Sequence, residues 1–77
     1  MDENKWLECF GKNLTRMVSE AGYTRRELAD ATGLAESTIG RYMKGDYIPK
    51  ATALINIASI LLCDINDLIN FGEDIDF

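Results

Sequence analysis

The 77-residue chain contains no histidine, and this absence removes several kinds of active site. A His-based catalytic triad, a His-ligated metal site and an imidazole that titrates near neutral pH are all impossible. The two cysteines cannot form a four-ligand zinc site by themselves. The sequence also offers no nucleophile–base pair, phosphate-binding loop or metal-ligand cluster. We therefore expect a protein that is not an enzyme and that holds no metal and no cofactor.

A long apolar segment is missing as well. The longest apolar-rich stretch, residues 51–63, is interrupted by polar residues and is too short to span a bilayer. The acidic N-terminus lacks the cationic and then apolar layout of a signal peptide. The two cysteines have no CxxC spacing, and we expect Cys63 in the core and Cys9 as a free thiol. These features predict a cytoplasmic protein with no membrane partner.

Basic residues are scarce, and none follows Lys50. The 13 acidic and 8 basic residues give a net charge of −5, which at first sight argues against nucleic acid as a partner. The charge is uneven, however, because residues 51–77 contain five acidic residues and no basic one, whereas residues 23–50 contain five basic and four acidic residues. We expect one small domain, residues 1–72, followed by an acidic tail, residues 73–77.

Apolar residues recur with a helical period near the start of the chain. Spacings of three and four residues place them on one face of an amphipathic helix that Gly22 ends. The residues of this face are Leu7, Phe10, Leu14, Met17 and Ala21.

A second helix is predicted from about Arg25 to Thr32. Thr24 and Glu27 have the spacing of a capping box at its start, and Gly33 can supply a tight turn after its end. The residues expected to be buried are Leu28, Ala29 and Ala31.

A third short helix is predicted from about Glu36 to Met43, with Ile39 and Tyr42 inward and Gly45 at its end. A loop that contains Pro49 follows it.

Two further helices complete the prediction. The fourth runs from about Ala51 to Leu61, and Asp64 can cap the fifth, with Asp67 in its first turn. The apolar faces of the two helices are Leu54, Ile57, Ala58 and Leu61 in one, and Ile65, Leu68, Ile69 and Phe71 in the other. No stretch alternates as a strand does, so five helices are expected.

The run from Thr24 to Gly45 closely resembles the helix-turn-helix of lambda-repressor-like (Cro/cI, or XRE) proteins, and the resemblance covers about residues 10–71. It depends on an ordered combination: Leu28-Ala29, Gly33, Ile39, Gly45, Pro49 and Ile57-Ala58. The resemblance implies an all-α, compact five-helix DNA-binding domain with the helix-turn-helix at helices 2 and 3. It also implies that the acidic last third lies away from the DNA.

The resemblance assigns base reading to the third helix. The matching positions are Glu36, Ser37, Gly40 and Arg41. Arg41 is the strongest candidate, because its guanidinium can bind guanine bidentately, and the alternative is a solvated surface charge. Glu36 can accept a hydrogen bond from cytosine or simply favour the helix dipole. Gly40 has no side chain, so we expect it to permit a close approach of the backbone or a water molecule.

Contacts to phosphates position such a domain without reading sequence. The matching positions are Arg25, Thr38, Lys44, Tyr47 and Lys50. Lys12 and Arg16 are weaker candidates, because they can also serve to solvate the first helix.

The sequence departs from the family pattern at several places. Ala35 stands where a Ser or Thr usually caps the third helix, and a lost cap costs about 0.5–2 kcal/mol. Asp46 stands where the loop often carries a basic residue. Many members pair an Arg with a Glu where this chain has Val18 and Met43, and we predict an apolar contact there. Leu62 replaces a usual Gly, which predicts strain or reshaping at the end of the fourth helix.

These features favour a sequence-specific transcriptional regulator, a repressor of phage or mobile-element type, whose partner is double-stranded DNA. Because a domain this small reads few base pairs, we expect a homodimer on a palindromic operator, and we expect no small-molecule ligand. The candidates for the dimer surface are Ile65, Leu68, Ile69, Phe71, Ile75 and Phe77. The net charge supports an alternative, a protein-interaction module such as an antitoxin or an antagonist of another regulator.

Overall fold

The computed structural model describes residues 3–47 and 49–69. It contains α1 (Glu3–Glu20), α2 (Arg25–Thr32), α3 (Glu36–Lys44), α4 (Ala51–Ile60) and α5 (Ile65–Ile69), and these described residues contain no strand. The predicted all-α, five-helix architecture is therefore confirmed. The dimer candidates Phe71, Ile75 and Phe77, and the predicted tail of residues 73–77, lie outside the described residues.

All five helices contribute to one core. The side chains that are fully buried come from every helix: Phe10, Leu14, Leu28, Ile39, Ile57 and Leu68. Two asparagine side chains add hydrogen bonds between helices. Asn13 donates to the Leu68 carbonyl oxygen at 3.1 Å, and Asn56 donates to the Thr32 carbonyl oxygen at 2.6 Å. These bonds link α1 to α5 and α4 to the end of α2.

The buried face of α1 differs from the prediction at its end. Leu7, Phe10 and Leu14 are buried as expected, but Val18 continues this face, Met17 is half-buried and Ala21 is exposed. The prediction for Ala21 is wrong because α1 ends one residue earlier. Gly22 then has a φ of +81°, which turns the chain out of the helix.

Helix α2 has the predicted bounds and the predicted capping box. The Glu27 N–H donates to Thr24 Oγ1 at 3.1 Å, and the Thr24 N–H donates to Glu27 Oε1 at 3.0 Å. Burial of Leu28 and Ala29 is confirmed, whereas the expected burial of Ala31 is wrong. Thr32 is buried instead, since it lies one turn after Leu28 and its hydroxyl donates to the Leu28 carbonyl oxygen at 2.8 Å.

Helix α3 is held close to α1 by contacts that involve main-chain atoms. A Cβ atom built on Gly11 would lie 2.6 Å from the carbonyl oxygen of Met43, and one on Gly45 would lie 2.7 Å from that of Leu7. Gly45 also ends α3 with a φ of +74°, as predicted. Glycine is therefore needed at both positions for the two helices to approach this closely.

The Val18 and Met43 side chains both pack in the hydrophobic core. Val18 is buried in the core cluster, and Met43 is half-buried against it. A direct contact between the two side chains remains a prediction. Val18 therefore lies in an apolar environment.

The last two helices show a mixture of expected and unexpected features. In α4, Ile57 and Ala58 are buried as predicted, Leu54 is half-buried and Ala53 is also buried. Leu61, which follows the last residue of α4, is half-buried. The bond at the start of α5 runs from the Asp64 main chain to the Asp67 carboxylate, at 3.1 Å. This bond joins the first turn of α5 to the residue that precedes it, and the expected capping by the Asp64 side chain remains a prediction.

Leu62 occupies a strained conformation between α4 and α5. Its φ is +56°, in the left-handed region that favours glycine, and its side chain is 91% exposed. The strain predicted from the replacement of Gly by Leu is therefore present.

Both cysteines are free and half-buried. Burial, followed by the nearby Asp67 and Asp64 carboxylates, raises the pKa of the Cys63 thiol above its ordinary value. A raised pKa lowers the fraction of reactive thiolate at neutral pH.

Among the described residues, no helix combines the length and the apolar content that crossing a bilayer requires. The same part of the chain brings together no group of three or more metal-ligating side chains.

Candidate nucleic-acid interface

The turn between α2 and α3 sets the direction of α3. Gly33 has a φ of +76°, and its N–H donates to the Ala29 carbonyl oxygen at 2.9 Å. The Leu34 N–H then donates to the buried hydroxyl of Thr32 at 3.3 Å. Ile39 and Tyr42 are buried, so the opposite side of α3 faces outward. The sequence therefore produces a short helix presented on the surface by a tight turn.

The outward side of α3 borders an open cleft of about 410 Å³, which we call the α3 cleft. Its lining brings together all four predicted base-reading positions and two of the five predicted phosphate-binding positions: Arg25, Glu36, Ser37, Gly40, Arg41 and Lys44. Three of these residues are basic and one is acidic. The cleft thus has a positive balance although the whole chain is negative.

Most side chains of the α3 cleft are available to a partner. Glu36, Ser37 and Arg41 are exposed. Among the described residues, the Arg41 guanidinium has no hydrogen bond or ion pair, so its five N–H donors are free. Thr38 is half-buried and does not line the cleft.

Gly40 lies close to a side chain of another helix. It is buried, and a Cβ atom built there would lie 2.9 Å from Nη1 of Arg25. The end of the Arg25 side chain therefore lies beside Gly40, and the expected close approach of a partner's backbone or a water molecule at Gly40 remains a prediction. Sequence analysis missed this relationship because the two residues are on different helices.

Tyr47 and Lys50 border a second open cleft, also of about 410 Å³, between the end of α3 and the start of α4. The ring of Tyr47 meets that of Tyr42 edge to face, with 5.4 Å between centroids. Burial, followed by the nearby Tyr47, raises the pKa of the Tyr42 hydroxyl. Lys50 precedes the first turn of α4, where backbone N–H groups have no side-chain cap. Four of the five predicted phosphate-binding residues are thus divided between two clefts, and Thr38 lines neither of them.

A match to a protein family identifies the kind of domain that contains these clefts. A family model described as helix-turn-helix (HTH_3) matches residues 15–68, which include α2, α3 and the turn between them. The chain belongs to the helix-turn-helix family. It is a DNA-binding domain of the XRE type, found in transcriptional regulators, as the resemblance in the sequence implied.

Solved structures share the fold of this helix-turn-helix domain. The restriction-modification controller protein C.AhdI from Aeromonas hydrophila has a TM-score of 0.78 at 24% identity, over 80% of this chain and 94% of that one. The SOS-response transcriptional repressor LexA from Eubacterium rectale has a TM-score of 0.83 at 23% identity, over 100% of this chain and 81% of that one.

A third structure, a transcriptional regulator from Listeria innocua, has a TM-score of 0.72 at 25% identity, over 87% of this chain and 63% of that one. No curated protein matches the chain at a significant level.

The basic residues of α1 lie outside both clefts of the helix-turn-helix domain. Lys12 pairs with Glu8 at 3.1 Å, and Arg16 lies 3.8 Å from Glu20. Each pair spans one helical turn at the surface, which agrees with a solvating role.

The dimer candidates divide into two groups within the described part of the domain. Leu68 is completely buried, so it is a core residue and cannot form a dimer surface in this fold. Ile65 and Ile69 are half-buried against the core. The large apolar side chains that are well exposed are instead Ile55 and Leu62, at 54% and 91%. Ile55 faces away from the buried stripe of α4, a signal that the helical period could have shown.

Proposed function

We propose that this domain is a sequence-specific transcriptional regulator that places α3 in the major groove of double-stranded DNA. The observation that carries the proposal is the α3 cleft, which joins the predicted base-reading positions on one exposed surface. An α-helix fits the width of the major groove, where each base pair presents a distinct set of donors and acceptors. Family membership supports the same partner.

Arg41 is the main base-reading residue in this proposal. Its guanidinium is exposed and unpaired among the described residues, so it can donate two hydrogen bonds to O6 and N7 of guanine. Glu36 can accept from the N4 amine of cytosine, and Ser37 can donate or accept at either base. A bidentate pair of this kind discriminates against the wrong base by about 1–3 kcal/mol.

The remaining residues position the domain on the phosphate backbone. Lys44 lies at the end of the α3 cleft, and Tyr47 and Lys50 lie at the second cleft. The uncapped start of α4 beside Lys50 offers backbone N–H groups to an anion. Thr38 is the weakest member of this set, because it is half-buried.

We further propose a cytoplasmic homodimer on a palindromic operator, acting as a repressor of phage or mobile-element type. A domain this small reads only a few base pairs, and two-fold symmetry doubles the length of the site, with half-sites about 34 Å apart. The exposed Ile55 and Leu62 are the described residues that can add apolar area to a dimer contact.

The net charge of −5 favours one other function, a protein-interaction module whose acidic surface binds a basic partner. The positive balance of the α3 cleft favours DNA. A gel-shift assay with random duplex at low salt separates the two functions. Absence of any shift, together with capture of a basic protein, would support the alternative.

The proposal is tested by selecting duplexes from a random library with the full chain and then repeating the measurement with Arg41→Ala. We expect a symmetric preferred sequence for the wild type and loss of preference at one base pair per half-site for the variant. Lys12→Ala is the matched control, because it removes a positive charge from α1, outside both clefts. If Arg41→Ala weakens binding to all duplexes equally, Arg41 contacts a phosphate and reads no base.

A further inference from the structure

We infer that Arg25, at the start of α2, reads a base pair in the major groove in place of the side chain that α3 lacks at Gly40. The inference rests on the proposed function, since it adds a specificity-determining residue to the same site. It changes the role that sequence analysis gave to Arg25, which was contact with a phosphate.

The first argument is the position of the Arg25 side chain. A Cβ atom on Gly40 would lie 2.9 Å from Nη1, 3.7 Å from Cζ and 3.8 Å from Cδ of Arg25. The far half of the Arg25 side chain therefore lies along α3 at Gly40. Gly40 is buried, while Arg25 itself is exposed.

The second argument is the place of Gly40 on α3. The cleft-lining residues Ser37 and Lys44 come about one turn before it and one turn after it. Gly40 thus lies between them along α3 and lines the same cleft. A guanidinium held beside Gly40 therefore lies in the cleft that also contains the base-reading positions Glu36, Ser37 and Arg41.

The third argument is that the Arg25 guanidinium has unused donors. Among the described residues it forms no hydrogen bond and no ion pair. Three basic residues share the α3 cleft with the single acidic residue Glu36, so the cleft favours a partner rich in acceptors. Guanine offers O6 and N7 at the spacing that one guanidinium can bind.

Gly40 has the role of a positioning residue in this arrangement. Any side chain at Gly40 would displace the guanidinium, because even a methyl group would come within 2.9 Å of Nη1. We therefore expect that changes at Arg25 and at Gly40, which lie on different helices, alter recognition of the same base pair.

The test compares binding of the full chain, as wild type, Arg25→Ala, Arg25→Lys and Gly40→Ala, to a selected duplex and to versions that carry each alternative base pair. We expect Arg25→Ala to remove a preference of about 5-fold to 150-fold at one base pair per half-site, and to leave the other preferences intact. Arg25→Lys keeps the charge without the bidentate geometry, so it should lose most of the same preference. Gly40→Ala should affect that same base pair. Arg26→Ala, a charge removed from the neighbouring exposed position, is the matched control.

Two results would overturn the inference while leaving the proposed function intact. In one, Arg25→Ala weakens binding to every duplex equally and reduces the salt slope by about one, as loss of a phosphate contact does. In the other, Arg25→Lys retains the full preference. A wild type that selects no sequence would instead refute the proposed function itself. Thermal unfolding of each variant identifies any that fails to fold. If Arg25→Ala does not fold, the base preferences of Arg25→Lys and Gly40→Ala test the inference instead.

Discussion

Gly11 in α1 lies against the main chain of Met43 in α3, so closely that a Cβ atom would stand 2.6 Å from the Met43 carbonyl oxygen. A main-chain oxygen within a helix cannot move as the end of a flexible side chain can. The distance between α1 and α3 therefore depends on the absence of a side chain at Gly11.

Gly11→Ala should destabilise the domain even though alanine favours a helix. Alanine gains about 1 kcal/mol in helix propensity, but forcing a methyl group into this contact costs about 1–3 kcal/mol. We expect a net loss of about 1 kcal/mol, equivalent to a fall of about 4–8 °C in Tm for a domain of this size. Ser19→Ala, on the exposed side of the same helix, is the control and should raise stability slightly. An increase in Tm for Gly11→Ala would show that the helices separate without cost.

Leu62→Gly should stabilise the domain. The left-handed conformation of Leu62 costs about 1–2 kcal/mol for a residue with a Cβ atom, whereas glycine adopts it freely. The side chain is 91% exposed, so little buried area is lost. We expect a gain of about 0.5–1 kcal/mol in urea unfolding, after the entropy that glycine adds to the unfolded chain. Ser59→Gly, at an exposed position within α4, should instead destabilise. A loss of stability in Leu62→Gly would mean that the exposed side chain has a partner.

Stability should depend on pH through the capping box of α2. The hydrogen bond from the Thr24 main chain, followed by that from its side chain, lowers the pKa of the Glu27 carboxyl below its ordinary value of 4.5. A lowered folded-state pKa means that this stabilisation is complete above pH 4.5 and is lost as the pH falls through the folded-state value. The stability difference between wild type and Glu27→Gln should therefore shrink in acid. Urea unfolding at several pH values above and below 4.5 measures it, and a difference that does not change with pH would contradict the prediction.

Ala35→Ser should strengthen the start of α3. Ala35 has the extended conformation of an N-cap residue but forms no side-chain capping bond. A serine hydroxyl there can accept from a free backbone N–H of the first turn, which contributes about 0.5–2 kcal/mol. Thermal unfolding should show a higher Tm. Thr24→Ala is the matched comparison, because it removes the equivalent bond at α2 and should lower Tm by a similar amount.

DNA binding should have a shallow dependence on salt. The two clefts contain four basic side chains, Arg25, Arg41, Lys44 and Lys50. If all four neutralised phosphates, the slope of log K against log salt would be about −4 per protomer and about −7 for a dimer. Titrations at several salt concentrations measure the slope. A value near −10 would require cationic contacts beyond the two clefts.

Local signals in the sequence were sufficient for much of the fold. The bounds of α2, its capping box and the turn at Gly33 follow from residues within a few positions of one another. The strain at Leu62 could be predicted because a single position departs from the family pattern. Features of this kind depend on backbone conformation, which neighbouring residues determine.

Relationships between helices were harder to predict. Ala31 and Thr32 are adjacent, and only the packing of α4 beside them shows that Thr32 is the buried one. Leu68 fits a surface or a core equally well by periodicity, and its burial depends on where α5 meets α1. The placement of Arg25 over Gly40 joins residues of two helices, so no periodicity within either helix could reveal it.

The side chains of α3 fall into two groups with different roles. Ile39 and Tyr42 anchor it, while Glu36, Ser37 and Arg41 point outward and contribute nothing to the core. The outward set can consequently be exchanged without disturbing the anchor. The variants of a library randomised at the three outward positions should therefore all remain folded. Variants that recognise a new operator can then be selected by changing only the side chains that face the groove.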